Sequence, residues 1–399
     1  MSNEYKVDVL AELHNLGSVQ RTWETLPLDP NADPDFYLAV LKTDERMKPH
    51  VITLKEDNVV TSILLGRTEK KSLEIHFGYK KIAIPGVRFL TLVHGGELGS
   101  DSEQSALRLV DSVQKTLRNG HADVAHFHAI DKESALYRIV AKAGGLLTRD
   151  YYPEAIQRWR LRLPNTFDEL LRRRSTNTRH NLKRYAKRLR ESFDGELSIR
   201  CFRSPGELAT LLRDTETVAS KTYHRGLGVG FVDDPLTREL MSLSASKGWL
   251  RAYILYLRGT PAAFWNGFLY RRTFFTWTTG YDPGLSELRP GSYLLQQLLA
   301  GLCEEGTVDE VDFGFGDAQY KQDWSDYCRR QVSQLLFAPT VKGVFLNCVR
   351  TPLVGTSGVA RKALAHTTAL QRFKKWWRKR LATKQTIKVR PSVIQGNRT

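Results

Sequence analysis

A short acidic and aromatic stretch near residue 315 contains the residue types that move protons. Apolar residues precede it, so we expect a strand end followed by a loop, which is where a carboxylate could act as a base directly or through water. Phenols could protonate a leaving group, and a histidine could replace the carboxylate as the base. Each of these side chains could instead pack in the core or cap a helix, and the sequence does not decide which residue is the base. The candidates for proton transfer are Asp312, Asp317, Tyr281, Tyr320 and His224.

A second stretch has the composition of an anion-binding helix start. Arg289-Pro290-Gly291-Ser292 precedes the apolar run Tyr293–Cys303. The first amides of a helix have no intrahelical acceptor, and with a neighbouring cation they can hold a phosphate. The local sequence also fits a simple turn that caps a helix. We interpret the stretch as a site for a phosphate-bearing cofactor.

The segment from Arg172 to Arg190 has nine Lys or Arg residues and no acidic residue. Such a helix can be a solvated face, but cations this dense repel one another unless an anion lies nearby. The expected anion is a substrate or the phosphates of the cofactor. The candidates for substrate binding are Arg179, Lys183, Arg184, Lys187 and Lys321.

The elements that must position these residues follow from periodicity and turn signals. Three strand-like runs, Leu250–Leu257, Ala262–Tyr270 and Thr273–Gly280, are joined by short turns and predict an antiparallel meander. A helix and a strand follow. N-terminal to the meander, the segment 167–192 predicts a helix with a break near Ser175–Asn177. Residues 49–143 predict a similar order of elements, with strands first and then a helix, a strand and a helix.

This order of elements resembles the acetyltransferase domain of the GNAT superfamily. The Tyr281-Asp282-Pro283 turn, the Arg289–Ser292 loop and the stretch from Asp312 to Lys321 carry the resemblance. It is closest to the branch of Fem-type peptidoglycan aminoacyltransferases and CelD-like cellulose-biosynthesis proteins. The resemblance implies an α+β fold of tandem GNAT-like domains, each a mixed, mostly antiparallel sheet flanked by helices, plus a basic C-terminal helical tail.

The implied domains are a degenerate N-terminal GNAT-like domain (1–164), a GNAT acyltransferase domain (165–345) and a basic, partly helical or disordered tail (346–399). In such domains one strand parts from its neighbour so that its backbone pairs with the pantetheine of acetyl-CoA or another acyl-CoA. The Arg289–Ser292 loop contains fewer glycines than the common GNAT pattern. The implied cofactor-binding residues are Trp277, Thr278, Thr279, Gly280, Arg289, Gly291, Ser292 and Tyr293.

The charge of the 399-residue chain is concentrated at one end. The formal net charge is +17, and the segment 327–399 has 16 Lys or Arg residues and no acidic residue, which leaves the rest nearly neutral. In the tail, Leu370, Phe373, Trp376, Trp377 and Leu381 share a helical face. This pattern is typical of an interfacial helix on anionic lipid, although RNA binding and disorder fit it too.

The cysteines and the hydropathy of the chain indicate in which cellular compartment the protein is expected. The four cysteines lack metal-ligand or disulfide spacing, and His126-Phe127-His128 has no third ligand, so we expect no metal. We find no signal-peptide pattern and no run of about 20 apolar residues. The expectation is a cytoplasmic protein, peripheral at the inner membrane surface.

The sequence thus predicts an acyl-CoA-dependent N- or O-acyltransferase acting on a cell-envelope or exopolysaccharide precursor, with a small-molecule or lipid-linked sugar as acceptor. One alternative is a non-catalytic nucleic-acid-binding protein that uses the basic helix and tail. We favour the sugar acceptor over nucleic acid as the partner. Another is an aminoacyl-tRNA-dependent Fem-type transferase, which the absence of a long helical arm disfavours.

Overall fold

A computed structural model describes residues 4–26, 29–77, 80–222, 225 and 230–364. Among these residues the chain forms two compact units. The first contains the residues up to Arg158 together with 315–317 and 328–364, and the second contains 159–314 and 318–327. His224 and the tail segment 365–399 lie outside the described residues, as do the predictions made for them.

The first unit is a mixed sheet with helices against it. Its strands follow the order β1-β2-β3-β4-β5-β12, in which β4 and β5 are parallel and the other neighbours antiparallel. The strands are β1 (Tyr5–Leu10), β2 (Lys48–Glu56), β3 (Val59–Phe77), β4 (Lys80–Gly99), β5 (Val124–Asp131) and β12 (Tyr327–Phe337). The helices are α1 (Gln20–Thr25), α2 (Pro34–Lys42), α3 (Glu103–Arg118), α4 (Ala135–Val140) and α11 (Val341–Leu364).

Helix α3 shows why this unit folds as it does. Ser102 caps it by accepting a hydrogen bond from the Ser105 amide. Leu109, Val113 and Leu117 recur every four residues and are buried against the sheet. Each such side chain contributes roughly 1.5–3 kcal/mol by burial.

The second unit has the strand order β6-β11-β10-β9-β8-β7, with β10 and β11 parallel. Its strands are β6 (Glu154–Arg162, from Trp159 onward), β7 (Leu197–Phe202), β8 (Leu250–Leu257), β9 (Thr260–Tyr270), β10 (Thr273–Tyr281) and β11 (Glu310–Phe315). Its helices are α5 (Phe167–Arg172), α6 (Thr176–Ser192), α7 (Leu208–Ala219), α8 (Pro235–Ser246), α9 (Pro290–Glu305) and α10 (Gln319–Trp324).

The predicted meander is confirmed as β8, β9 and β10. Arg258, Gly259 and Arg271 take positive φ angles of 47°, 74° and 55°, as tight strand connections demand. Helix α9 packs on this sheet through an almost wholly apolar face. The predicted helix break is also confirmed, because α5 ends at Arg172 and α6 restarts at Thr176.

Some predicted elements differ in extent. The strands predicted within residues 49–143 include two that are longer than their apolar runs, β3 and β4, because the charged and glycine-containing segments between those runs also pair across the sheet. Most of β12, expected within the second domain, groups with the first unit. The fold is α+β, with a mostly antiparallel mixed sheet in each unit.

Candidate functional site

Strands β10 and β11 of the second unit pair briefly and then part. Their parallel register runs from Thr273 opposite Glu310 to Phe275 opposite Asp312 and stops there. Strand β10 continues to Tyr281, and within the described part of the chain this portion pairs only with β9, on its other side. A parted pair of parallel strands leaves backbone groups of β10 available to an extended ligand that carries amides.

The residues expected to pair with the cofactor lie on this free portion of β10. Trp277 is the bulge residue of the β9–β10 ladder. The Asn266 amide donates to Oγ1 of Thr278 at 3.2 Å, and the Thr279 hydroxyl donates to the Phe264 carbonyl at 3.0 Å. Their side chains therefore bind within the unit, and only their backbone faces the gap.

Gly280 follows on the same strand and has no room for a side chain. A Cβ there would lie 2.6 Å from Cε1 of Phe264. The close packing of this glycine fixes the course of β10 as it approaches helix α9.

Helix α9 begins beside the end of β10. Its N-cap, Arg289, adopts a left-handed conformation with φ 51° and makes no side-chain cap. The amides of Ser292 and Tyr293 each donate to the Arg289 carbonyl at 3.1 Å, so both are engaged. In the described part of the chain, the Gly291 amide has no acceptor within hydrogen-bond distance. Of the amides expected to meet an anion, that of Gly291 is the open one.

Tyr281 stands next to this helix start. A Cβ added at Gly291 would lie 3.3 Å from Cδ1 of Tyr281, so the tyrosine ring lies against the glycine. The side chain is 41% exposed, which leaves its hydroxyl accessible. The two residues predicted as cofactor ligand and proton donor are thus brought together.

Basic residues of helix α6 face the same helix start. Arg184, Tyr185, Arg188 and Arg289 line an open groove of about 440 Å³ together with Ser286 and Glu287. The Arg289 guanidinium lies 4.9 Å from the centre of the Tyr185 ring, and Arg184 donates to the Tyr185 hydroxyl at 3.3 Å. These two guanidinium groups lower the pKa of the Tyr185 phenol, first through the hydrogen bond from Arg184. Arg188 pairs with Glu287 at 3.6 Å, so the groove has three guanidinium groups against one carboxylate, and its net positive charge suits a phosphate or diphosphate.

The other predicted basic residues of α6 lie elsewhere. Lys183 and Lys187 are exposed, and Lys187 pairs with Glu191 at 3.6 Å. Arg179 donates to Oγ1 of Thr176 at 3.1 Å. Of that set, the groove includes Arg184 alone.

Sequence reasoning missed Arg188 and Tyr185 as groove residues. The signal was available, because positions 184, 185 and 188 share one face of a helix. What the sequence could not supply was the rotation of α6 against α9.

Asp312 is a buried carboxylate that forms an ion pair within the second unit. Its side chain is 1% exposed, its Oδ2 lies 3.1 Å from Nη2 of Arg160, and its Oδ1 accepts the Gly314 amide at 2.8 Å. Arg160 also pairs with Glu310, which accepts a hydrogen bond from Tyr327. A carboxylate held this way positions the end of β11, and acting as a base would require it to give up Arg160.

Lys321 lies close to that carboxylate and is 7% exposed. Burial lowers the pKa of its ammonium to about 8, against the opposing attraction of Asp312. A lysine with such a pKa can exchange a proton near neutral pH, which an ordinary lysine does not do. It was expected as a substrate ligand, and its environment also suits proton transfer.

The remaining candidates divide between packing and solvent. The Tyr320 ring packs edge-on against Trp265 and Phe313, with centroids 5.3 and 6.0 Å away. Asp317 is exposed and groups with the first unit, where its charge acts on Cys328. Neither position favours a catalytic role over a structural one.

In the first unit, the corresponding gap between strands β4 and β5 is filled. These strands pair up to Leu92 and Phe127. Just beyond, the ring of Phe315 contacts both His94 and His128, with centroids 5.0 and 5.8 Å away. Side chains thus occupy the place that an extended ligand would need.

A buried ionic cluster closes that gap further. Arg158 donates to Nε2 of His94 and, at 3.0 Å, to Oδ2 of Asp29. A Cβ at Gly95 would lie 2.3 Å from Cβ of Asp29, so the Asp29 loop lies directly on the strand. Burial and the nearby charges of two aspartates raise the pKa of Glu97 to about 8. The carboxylates of Asp29, Asp101 and Asp131 make this place unfavourable for phosphate.

Comparison with known proteins finds a family similarity in the second unit. Residues 176–322 match the model of an acetyltransferase (GNAT) domain. The matched residues lie mostly in the second unit and include the parted end of β10 and the start of helix α9, so this part of the chain is similar to a GNAT acetyltransferase domain. No curated protein shows significant sequence similarity to the chain.

Solved structures resemble this chain in fold. FemX is 9% identical, with 82% of this chain and 96% of that chain covered and a TM-score of 0.53. A conserved protein of unknown function from Bacteroides thetaiotaomicron is also 9% identical, covering 83% and 100% of the two chains with a TM-score of 0.49. A tandem GNAT protein from the clavulanic acid biosynthesis pathway is 12% identical, covering 84% and 99% with a TM-score of 0.46.

Two kinds of feature are absent from the described residues. None of the helices there has both the length and the apolar character to cross a bilayer. No group of three or more His, Cys, Asp or Glu side chains in the same residues is placed to hold a metal ion.

Proposed function

We propose that this chain is an acyl-CoA-dependent N- or O-acyltransferase that acts on a cell-envelope or exopolysaccharide precursor, and that its second unit carries the reaction. The parting of β10 from β11 after Phe275 and Asp312 is the observation that carries the proposal. It offers a backbone edge to the pantetheine arm, directly beside the start of a helix.

The residues around the gap fit the parts of an acyl-CoA. The Gly291 amide and the guanidinium groups of Arg184, Arg188 and Arg289 would hold the phosphates. When bound, the cofactor supplies an acyl group activated as a thioester. Tyr281 would then donate a proton to the departing sulfur, and Lys321, with its lowered pKa, would accept one from the nucleophile.

Charge supports the acceptor that we propose. Lys183 and Lys187 leave a basic, exposed face on α6 beside the groove, which suits an acceptor carrying phosphate, such as a nucleotide-linked or lipid-linked sugar. Mass spectrometry of small molecules retained by the purified protein would identify it.

Titration calorimetry with acetyl-CoA tests the proposal. Arg188→Ala and Arg289→Ala each remove a charged donor worth about 1.5 kcal/mol, so the Kd should rise roughly tenfold. Lys183→Ala, on the same helix but outside the groove, is the matched control and should bind like the parent. If the chain ignores acetyl-CoA and instead binds an RNA oligonucleotide with steep salt dependence, the nucleic-acid alternative replaces the proposal.

A further inference from the structure

Helix α11 of the first unit has an apolar face turned to solvent. Val341, Phe345, Cys348 and Pro352 are all exposed and follow one another by four, three and four residues, which places them on one side of the helix. Val341 is 91% exposed and Phe345 58%. Leu346 and Asn347, on the opposite side, are buried.

The loop before β6 lies beside this helix and is also apolar at its surface. Leu146, Leu147, Tyr151 and Tyr152 are 79%, 53%, 43% and 45% exposed. With Val341 and Phe345 they make six of the fourteen large hydrophobic side chains exposed in the described residues. We call Val341, Phe345, Cys348 and Pro352 the α11 face.

Buried polar contacts attach the loop to the helix. The Asn347 amide donates to the carbonyls of Leu147 and Arg149 at 2.9 and 3.0 Å. Arg350 pairs with the buried carboxylate of Asp150 and donates to the Tyr152 carbonyl at 3.1 Å. These contacts come from the buried side of α11 and hold the helix in place, so the α11 face on its other side is a fixed surface.

We propose that the α11 face docks this protein on a bilayer that contains anionic lipid. Charge identifies the occupant: α11 leads directly into residues 365–399, which have ten Lys or Arg residues and no acidic residue. Exposed apolar side chains that are followed in the sequence by a strongly cationic segment match a lipid interface, whose surface is anionic and whose interior is apolar. The inference concerns the first unit and is independent of acyl transfer.

Cosedimentation of the full chain with vesicles tests it. Vesicles of phosphatidylcholine with about 30% phosphatidylglycerol should bind the protein, and pure phosphatidylcholine should bind it weakly. Val341→Asp with Phe345→Asp should lower the partition coefficient on the anionic vesicles at least about tenfold. Leu107→Asp, at an exposed leucine on helix α3 of the same unit, should leave it unchanged. Equal binding of the double variant and the parent would overturn the proposal.

Cys348 provides a second test that needs no substitution. It is the exposed thiol of the α11 face, whereas Cys201 lies in the second unit and is partly buried. Anionic vesicles should slow the reaction of Cys348 with a water-soluble maleimide at least about fivefold, without changing that of Cys201. The proposal fails if vesicles leave Cys348 reactive. It also fails if protection requires only high protein concentration or an RNA oligonucleotide, since the occupant would then be a second copy or a nucleic acid.

Discussion

Replacing Lys321 by methionine should separate stability from activity. The side chain is 7% exposed, and burial lowers the pKa of its ammonium from 10.5 to about 8. The pKa of the ammonium is thus about 2.5 lower in the folded chain. Keeping the ammonium charged at neutral pH therefore costs the folded state about 3 kcal/mol. Losing the attraction to Asp312 offsets part of the gain. We therefore expect Lys321→Met to raise the free energy of unfolding at pH 7 by about 1–3 kcal/mol.

The sign of the pH dependence follows from the same numbers. Between pH 8 and 10.5 the unfolded chain binds a proton at Lys321 that the folded chain releases, so the parent becomes more stable as pH rises through this window. The variant lacks this rise. Urea denaturation at pH 7, 8 and 9.5 measures both effects, with Lys183→Met as the exposed control that should change neither.

Activity should move in the opposite direction. If Lys321 transfers the proton or contacts the acceptor, the more stable variant should lose acyl transfer while still binding acetyl-CoA. A variant that is less stable than the parent, or that keeps the same pH slope, would refute the reasoning about burial. A variant that keeps full activity would refute the functional role.

Two further predictions concern charge and titration inside the units. Asp312→Asn should lower the free energy of unfolding by about 3 kcal/mol, because Arg160 loses a buried partner although Glu310 remains, and chemical denaturation measures it. Burial lowers the pKa of His50 and of His94 to about 4, so each excludes a proton that the unfolded chain binds between pH 4 and 6.5. Stability should therefore fall as pH drops through this range, and His50→Gln should reduce the slope of a urea-denaturation series by up to one proton. An unchanged slope would contradict the burial of that imidazole.

The sequence predicted well what depends on neighbours along the chain. The meander, the break between α5 and α6, and helix α9 follow from periodicity and turn residues. It could not show that Arg160 neutralises Asp312, because the two come from strands distant in sequence. The same applies to Arg188, whose place in the groove depends on how α6 lies against α9. The sequence offered candidate catalytic residues by their chemical type alone. Tertiary contacts then showed that Asp312 is the buried partner of an arginine, whereas Lys321 is a buried lysine with a lowered pKa.

The contrast between the two gaps bears on how many cofactors one chain binds. Both units have a parallel strand pair that separates, but in the first unit Phe315, His94 and His128 fill the space, and Asp29 with Arg158 makes that filling ionic as well as apolar. Opening it would strand a buried charge, which costs several kcal/mol. The second unit offers an unpaired edge and a cationic groove instead. We therefore expect calorimetry to give one acetyl-CoA per chain, lost on removal of the Arg188 and Arg289 guanidinium groups together. Two sites of similar affinity would mean that the aromatic filling moves aside, and the assignment of chemistry to one unit would be wrong.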